Sequence, residues 1–313
     1  MFSRHIITGS FLTLFAMSKV FASCGSAFCS INTQWDVQGV TPNTGTQIGL
    51  RYENIDQDQL REGRDKVSID AQADEEHAEV ETLNHNWFLS VDHAINETWG
   101  ISIAIPYVDR FHEHIEDPQG AADDETWDFN DLGDIKVMGK YQSASNKTGL
   151  QFGLKLPTGD YDVSNADGEV AERSLQPGSG TTDAILGVFY RSHSLKSPLS
   201  WFTQAQLQQA LNERAGYKPG SQFSLNGGYN YAANHKVSLM VQLNGLVKGK
   251  DSGNEAEPAD SGGEFIFLTP GISVAITSSV QVYAFFQQPL YQYVNGIQLT
   301  SDNSYTVGIN GQF

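Results

Sequence analysis

Three features are scarce in this sequence: long apolar runs, basic residues and cysteines. Beyond the N-terminal residues no apolar run reaches the length of a helical membrane span, which excludes a polytopic helical membrane protein. The 19 Lys and Arg face 37 Asp and Glu, a net charge of -18. A chain this acidic repels phosphate, so we exclude a general nucleic-acid binder and expect no nucleic-acid partner.

The N-terminus has the features of an export signal over residues 1–22. Arg4 supplies positive charge, residues 6–16 form a short apolar run, and Ala22 ends a small-x-small cleavage site. This combination is typical of a secretory signal peptide. A retained anchor helix is the alternative, but the apolar run is too short to span a bilayer.

The two cysteines, Cys24 and Cys29, lie just after this signal. In an oxidising compartment such a pair is first interpreted as a disulfide that closes a small loop. Metal binding by the pair and lipidation of Cys24 are the alternatives. Residues 23–43 are predicted to form a periplasmic segment that carries the cysteine pair. The segment is long enough to enter a lumen, with Trp35 as its candidate anchor.

Most of the remaining chain alternates between apolar and polar residues with a period of two. In the last segment Tyr305, Val307 and Ile309 alternate with polar residues or glycine. A period of two places the two sets on opposite faces of a β-strand. The predicted strands lie near residues 44–53, 79–95, 99–111, 132–142, 149–158, 181–191, 199–211, 221–231, 236–248, 264–276, 280–291 and 303–313.

The length of these segments and the composition of their polar face indicate a membrane barrel. A strand of about 9–12 residues suits a tilted crossing of a bilayer. The polar face is rich in Gln, Asn, Ser and Gly, as at Gln204, Gln206 and Gln208, which suits a water-filled lumen better than an open surface. A soluble β-sandwich or a lipocalin-like barrel is the alternative.

Short turns and long loops alternate between the predicted strands, as in outer-membrane barrels. Both termini fall on the turn side, and the C-terminal Phe313 resembles the terminal signature of such barrels. A membrane sheet must close, because lipid cannot satisfy an open edge. We therefore predict an all-β fold over residues 44–313: a single transmembrane antiparallel up-and-down β-barrel of about twelve strands (ten to fourteen), surrounded by lipid of the bacterial outer membrane.

Alternation also predicts which charged and amide side chains face the lumen. Inward charges in a barrel either pair to brace the wall or line a route, and the inward lysines favour the passage of anions. The predicted lumen-lining residues are Arg51, Lys136, Lys140, Lys155, Asp183, Gln204, Gln206, Gln208, Lys236 and Glu264.

Few residues point to chemistry. His112 and His114 share one strand face, which makes them candidate ligands for an external metal ion. The sequence contains no Gly-x-Ser-x-Gly elbow, dinucleotide fingerprint or phosphate loop. We therefore predict no enzyme activity and no cofactor.

Two neighbouring segments resemble a known family. Residues 132–141 (LGDIKVMGKY) and 149–160 (GLQFGLKLPTGD) are similar to the paired motif of a family of bacterial outer-membrane barrels named after the meta-pathway of phenol degradation. The resemblance implies a channel or transporter that passes small solutes, including small organic compounds. The alternatives are a non-conducting barrel, with residues 23–43 docking a periplasmic protein or plugging the lumen, and an outer-membrane hydrolase.

Overall fold

The computed structural model describes residues 31–35, 38, 45–72, 77–116, 123–192 and 197–313. The predicted signal peptide (1–22) and the predicted disulfide between Cys24 and Cys29 lie outside these residues. Within the described ranges, no helix is long and apolar enough to cross a membrane.

The protein is built almost entirely from β-strands, with one short 3₁₀ helix at Ile69–Gln72. The strands are β1 (Gly45–Gln57), β2 (Gln59–Glu62), β3 (Asp65–Lys66), β4 (His77–Ala94), β5 (Trp99–Glu116), β6 (Asp123–Leu132), β7 (Lys136–Gln142), β8 (Thr148–Lys155), β9 (Asp183–Ser192), β10 (Leu199–Ala210), β11 (Gln222–Ala232), β12 (Val237–Lys248), β13 (Gly263–Ala275), β14 (Val280–Val294), β15 (Ile297–Thr300) and β16 (Ser304–Gln312).

Twelve of these strands form a closed antiparallel barrel: β1, β4, β5, β7 to β14, and β16. Each pairs with its neighbours in the barrel's chain order, and the last strand pairs with the first, from Gln47 opposite Gln312 to Ile55 opposite Ser304. Closure leaves no strand edge in the hydrocarbon, where unpaired backbone groups would be costly. The predicted up-and-down barrel of about twelve strands is confirmed.

The burial pattern is the reverse of that in a soluble protein. Leu225 and Leu243 are 52% and 51% exposed, whereas Gln242 and Asn244 on the adjacent inward positions are buried. Apolar side chains on the outside suit acyl chains, and polar ones on the inside suit a lumen. The outward direction of the apolar face is therefore confirmed, and the molecule is a barrel of the bacterial outer membrane.

The fourth strand position of the barrel wall departs from the prediction. One strand was predicted over 132–142, but two are present. β6 pairs with the outer half of β5, and β7 pairs with its inner half. The break lies at residues 133–135, where the chain leaves the ladder to make a side-chain-mediated contact described below. Residues 112–116 and 123–131, which were predicted to lie between strands, are consequently part of a wall that extends beyond the bilayer.

A small second sheet lies at the loop end of the barrel. β2 pairs with β15 and with β3, and it buries Leu60 and Leu299. Lys66 and Asp302 form an ion pair at 2.7 Å across this sheet. None of these strands was predicted, because two to four residues are too few to show a period.

The assigned depth of lipid-facing residues in the membrane can be tested by introducing a charge at two positions on the same strand. Leu243 lies near the middle of β12, so Leu243→Arg should destabilise the barrel by about 2–4 kcal/mol, since charge at the bilayer midplane is costly. Leu239→Arg, on the same face but nearer the turn end, should cost only about 0–1 kcal/mol. Denaturant unfolding in phospholipid vesicles measures both; equal costs would contradict the assigned depth.

Candidate functional site

A stretch of chain that precedes the barrel lies inside it. Residues 31–35 and 38, here termed the lumen segment, are enclosed by the wall, and Asn32, Trp35 and Gln38 are buried. The sequence predicted a periplasmic segment over 23–43 that could enter the lumen. The described part of that segment is in the lumen.

Amide side chains hold the lumen segment to one side of the wall. The Asn32 backbone N–H donates to Gln242 Oε1 at 3.2 Å, and Gln242 Nε2 donates back to the Asn32 carbonyl at 2.9 Å. Asn32 Nδ2 donates to Gln204 Oε1. Gln204 and Gln151 each donate to Gln34 Oε1 at 2.8 Å. Neutral amides pair donor and acceptor reciprocally, so these contacts on β8, β10 and β12 need no buried charge.

Aromatic packing holds the segment to a neighbouring part of the wall, on β14. The Trp35 ring makes an edge contact with Tyr283 at 4.7 Å and stacks near Phe285 at 6.1 Å. Arg51 Nη1 donates to Thr33 Oγ1 at 2.7 Å, and its Nε pairs with Glu53 at 2.7 Å. Aromatic burial contributes most of the contact area at such a site. Trp35 is therefore the anchor of the lumen segment.

A belt of hydrogen-bonded, uncharged polar side chains extends from Gln242 along the inner face of the neighbouring strands. Asn244 Nδ2 donates to Asn226 Oδ1 at 2.7 Å, and Thr269 Oγ1 donates to Asn244 Oδ1 at 2.7 Å. Gln287 Nε2 then donates to Thr269 Oγ1 at 3.4 Å. Satisfied polar networks of this kind fix side-chain positions in a buried interior.

The main cavity lies on the loop side of the lumen segment and has a volume of about 310 Å³. Phe88, Pro106, Met138 and Ile185 contribute apolar surface to it. The polar side chains that line it include Arg51, Asp134, Lys136, Gln204, Gln206, Gln208, Gln222, Ser224 and Asn226. Mixed linings of apolar surface with a few polar groups are typical of ligand sites.

Eight of the ten residues predicted to line the lumen face the interior. Arg51, Lys136, Gln204, Gln206 and Gln208 line the main cavity. Lys140 lines a smaller cavity at the turn end. Lys155 and Asp183 are buried, with their charged atoms 3.3 Å apart.

The other two predicted positions need correction. Lys236 is exposed in the turn before β12, because Asn234 Oδ1 accepts from the Lys236 N–H at 2.8 Å and ends the hairpin there. Glu264 lies on the outer face of β13 with Tyr293 and Val247. Its direction was wrongly inferred because both faces of this strand are apolar, so alternation does not distinguish them.

The reason is an inward apolar cluster that sequence reasoning missed. Phe265 and Phe267 point inward and pack with Leu246 and Val294. Burial alternates without a break along β13 from Gly263 to Pro270. The bulge in this pairing places its extra residue, Leu290, in β14. The lumen is thus partly aromatic rather than wholly polar.

The family-like motif forms a lock at the loop end of the lumen. Asp134 Oδ2 accepts from Lys155 Nζ at 2.7 Å and from the Ser179 N–H at 2.9 Å. Asp134 Oδ1 accepts from the Gly159 N–H at 3.1 Å. Thr158 Oγ1 donates to the Gly133 carbonyl at 3.0 Å. One buried carboxylate therefore connects the break between β6 and β7, at residues 133–135, to loop 156–182.

Close backbone contact explains the glycines of this lock. A Cβ on Gly159 would lie 2.9 Å from the Cα atoms of Gly133 and Gly178. A Cβ on Gly178 would lie 2.3 Å from the Gly159 carbonyl oxygen. Such distances leave no room for a side chain, so the motif glycines serve backbone packing.

Loop 156–182 is also fastened to its neighbours. Arg173 lies over the rings of Tyr161 and Tyr217 at 4.8 and 5.1 Å, and Arg173 Nη2 donates to the Ser179 carbonyl at 2.9 Å. Burial between these groups lowers the pKa of Arg173, which remains a cation at neutral pH. Repulsion from Asp131 raises the pKa of the Asp160 carboxyl beside the lock.

The two histidines predicted as external metal ligands lie inside the wall. His112 Nδ1 is 2.9 Å from Thr82 Oγ1, and His114 Nε2 is 3.0 Å from Glu125 Oε2. Both rings pack against Trp127. Among the described residues, no group of three or more His, Cys, Asp or Glu side chains is arranged to hold a metal ion. Both side chains face the interior of the wall that extends beyond the bilayer, and the metal site stays a prediction.

With this geometry established, sequence comparison identifies the family. The model of the family "Putative MetA-pathway of phenol degradation" matches residues 62–300. The chain belongs to that family. The match includes both halves of the lock and most barrel strands. No curated protein has a matching sequence.

Structural comparison agrees with the fold. An outer membrane channel from Pseudomonas putida F1 is similar with a TM-score of 0.63 and 14% identity, covering 87% of this chain and 97% of that one. The Ralstonia pickettii toluene transporter TbuX has a TM-score of 0.45 and 10% identity, covering 88% and 91%. The NanC porin has a TM-score of 0.47 and 12% identity, covering 85% and 100%. These likenesses concern the barrel fold alone.

The lock predicts a specific loss of stability. Asp134→Ala removes one of the two carboxylates beside the buried Lys155 ammonium and leaves the N–H groups of Gly159 and Ser179 without their acceptor. The free energy of unfolding should fall by about 3–5 kcal/mol. Loop 156–182 should also open, so trypsin should cleave after Arg173 faster than in wild type. Asp128→Ala, at an exposed site on β6, is the matched control and should change both quantities little. Equal cleavage rates for the two variants would show that Asp134 does not hold the loop.

Proposed function

We propose that the protein is an outer-membrane channel that passes small solutes, with small organic compounds among them. The observation that carries this proposal is the polar, partly hollow lumen with its main cavity of about 310 Å³. Side chains alone fill a barrel of about eight strands, and a twelve-stranded barrel is wider, so a cavity inside it leaves room for a solute. Family membership and the fold shared with an outer membrane channel support the same function.

In this proposal the lumen segment is the constriction of the route. It separates the main cavity from the smaller one at the turn end, and Gln34 lines both. Its attachments are neutral amide hydrogen bonds, one hydrogen bond from Arg51 to Thr33 Oγ1 and one aromatic anchor. The hydrogen bonds can exchange with water at a modest net cost per bond. A solute would therefore pass when the segment shifts, without separating a buried ion pair.

A second function is favoured by the same segment. A non-conducting barrel would use the lumen segment as a permanent plug, and residues that precede it would dock a periplasmic protein. The hydrogen bonds of Asn32 with Gln204 and Gln242 support this alternative. The two functions differ in whether ions cross the purified protein.

Loosening the anchor distinguishes them. Trp35→Ala removes the contacts with Tyr283 and Phe285, so single-channel conductance in planar bilayers should rise by roughly twofold or more as the constriction widens. Trp201→Ala makes the same change on the lipid-facing side, where Trp201 packs on Tyr190, and should leave the conductance unchanged.

Absence of conductance steps in both wild type and Trp35→Ala would reject the channel in favour of the plugged barrel. Heat-modifiable migration on electrophoresis checks that each variant is folded as a barrel before it is reconstituted.

A further inference from the structure

We infer that the main cavity is a binding site for a small amphipathic monoanion: a carboxylate carried on a compact apolar body. This inference deepens the proposed channel function, on which it rests, by naming the class of solute. It follows from two observations: apolar and polar groups occupy different parts of the cavity, and its carboxylates have more hydrogen-bond donors around them than its Lys136 ammonium has acceptors.

One part of the cavity is apolar. Phe88, Pro106, Met138 and Ile185 face it from four different strands. Arg51 covers the Phe88 ring at 4.0 Å, so the guanidinium is stacked as well as paired with Glu53 at 2.7 Å. Apolar surface of this kind accepts a hydrocarbon body and gains from its removal from water.

The acidic groups at the other side already have donors. Asp134 accepts from Lys155, Ser179 and Gly159. Asp183 Oδ1 accepts from Thr181 Oγ1 at 2.7 Å, and its Oδ2 accepts from Gln208 Nε2 at 2.7 Å. Carboxylates engaged in this way have little capacity left for a cationic solute.

Lys136 is different. Its Nζ donates to Gln208 Oε1 at 3.1 Å, and Gln208 is itself held by Asp183. Within the described part of the chain, this is the one side-chain hydrogen bond of Lys136, and no carboxylate lies within ion-pair distance of its Nζ. An ammonium carries three donors, and Gln208 accepts from one of them, so the group in the cavity whose donors are not all used is a cation. A negatively charged acceptor on a ligand would form the strongest hydrogen bonds with the remaining Lys136 donors.

The size of the cavity limits the ligand. A volume of about 310 Å³ lies at the lower end of the range for small-molecule sites, which is about 300–1,000 Å³. The lumen segment closes the cavity towards the turn end through Asn32, Thr33 and Gln34. The site therefore suits one compact molecule rather than a chain of sugar units.

The test compares two ligands of the same shape. Isothermal titration calorimetry on the purified full-length barrel in detergent should detect binding of cyclohexanecarboxylate, and cyclohexanecarboxamide should bind more weakly. Lys136→Met should weaken carboxylate binding by about tenfold or more, because it removes the charge-assisted donor. The carboxamide should be nearly unaffected by this change.

Lys140→Met is the matched control. Lys140 lies two inward positions further along β7, beyond Met138, and lines the other cavity, so its loss should leave carboxylate binding unchanged. Lys136→Arg keeps the charge and should retain most of the affinity. Equal affinity for the two ligands, or equal losses in Lys136→Met and Lys140→Met, would overturn the inference.

The outcome is separable from that of the channel proposal. Conductance without carboxylate binding would overturn this inference and leave the channel intact. Carboxylate binding that requires Lys136, in a barrel that never conducts, would support the site and reject the channel.

Discussion

The whole structure depends on backbone closure. Twelve strands in lipid have nowhere to place an unpaired N–H or C=O group, so β16 must complete the ladder on β1. Closure in turn decides where side chains go: apolar groups face lipid, and the remaining side chains fill an enclosed space. The functional features described above all lie in this enclosed space and depend on which side chains fill it, because the membrane-facing surface contacts lipid.

The interior is organised in three levels between the turn end and the loop end. A small cavity with Lys140 lies near the turns, the lumen segment crosses at the level of the amide belt, and the main cavity lies beyond it. The lock around Asp134 closes the top of this arrangement. In the proposed channel, mainly neutral hydrogen bonds hold the lumen segment, which would move, and a buried ion pair holds loop 156–182, which would stay.

Strand number, outward apolar face and most inward side chains were predictable because lipid imposes one regular rule along each strand. The prediction was wrong where that rule gives no signal. Phe265 and Ile266 are both apolar, so Glu264 was assigned to the wrong face. Alternation along β12 would place Lys236 on the inward face, but the turn at Asn234 leaves Lys236 outside the strand. The wall at residues 123–142 is broken by a contact with loop 156–182, which no local pattern reveals.

The sequence by itself determined that the chain is a closed membrane barrel, since alternation, strand length and turn length are local properties read directly from residue order. It also marked the lock motif, without explaining it. Only the tertiary structure decided that Trp35 and Asn32 lie inside the lumen and that Asp134 bridges Lys155 to Ser179. It also decided that Lys136 faces a cavity in which no carboxylate of the described ranges pairs with it. These facts join residues 20 to more than 200 positions apart, and contacts at such separations arise from closure of the barrel, not from neighbouring sequence.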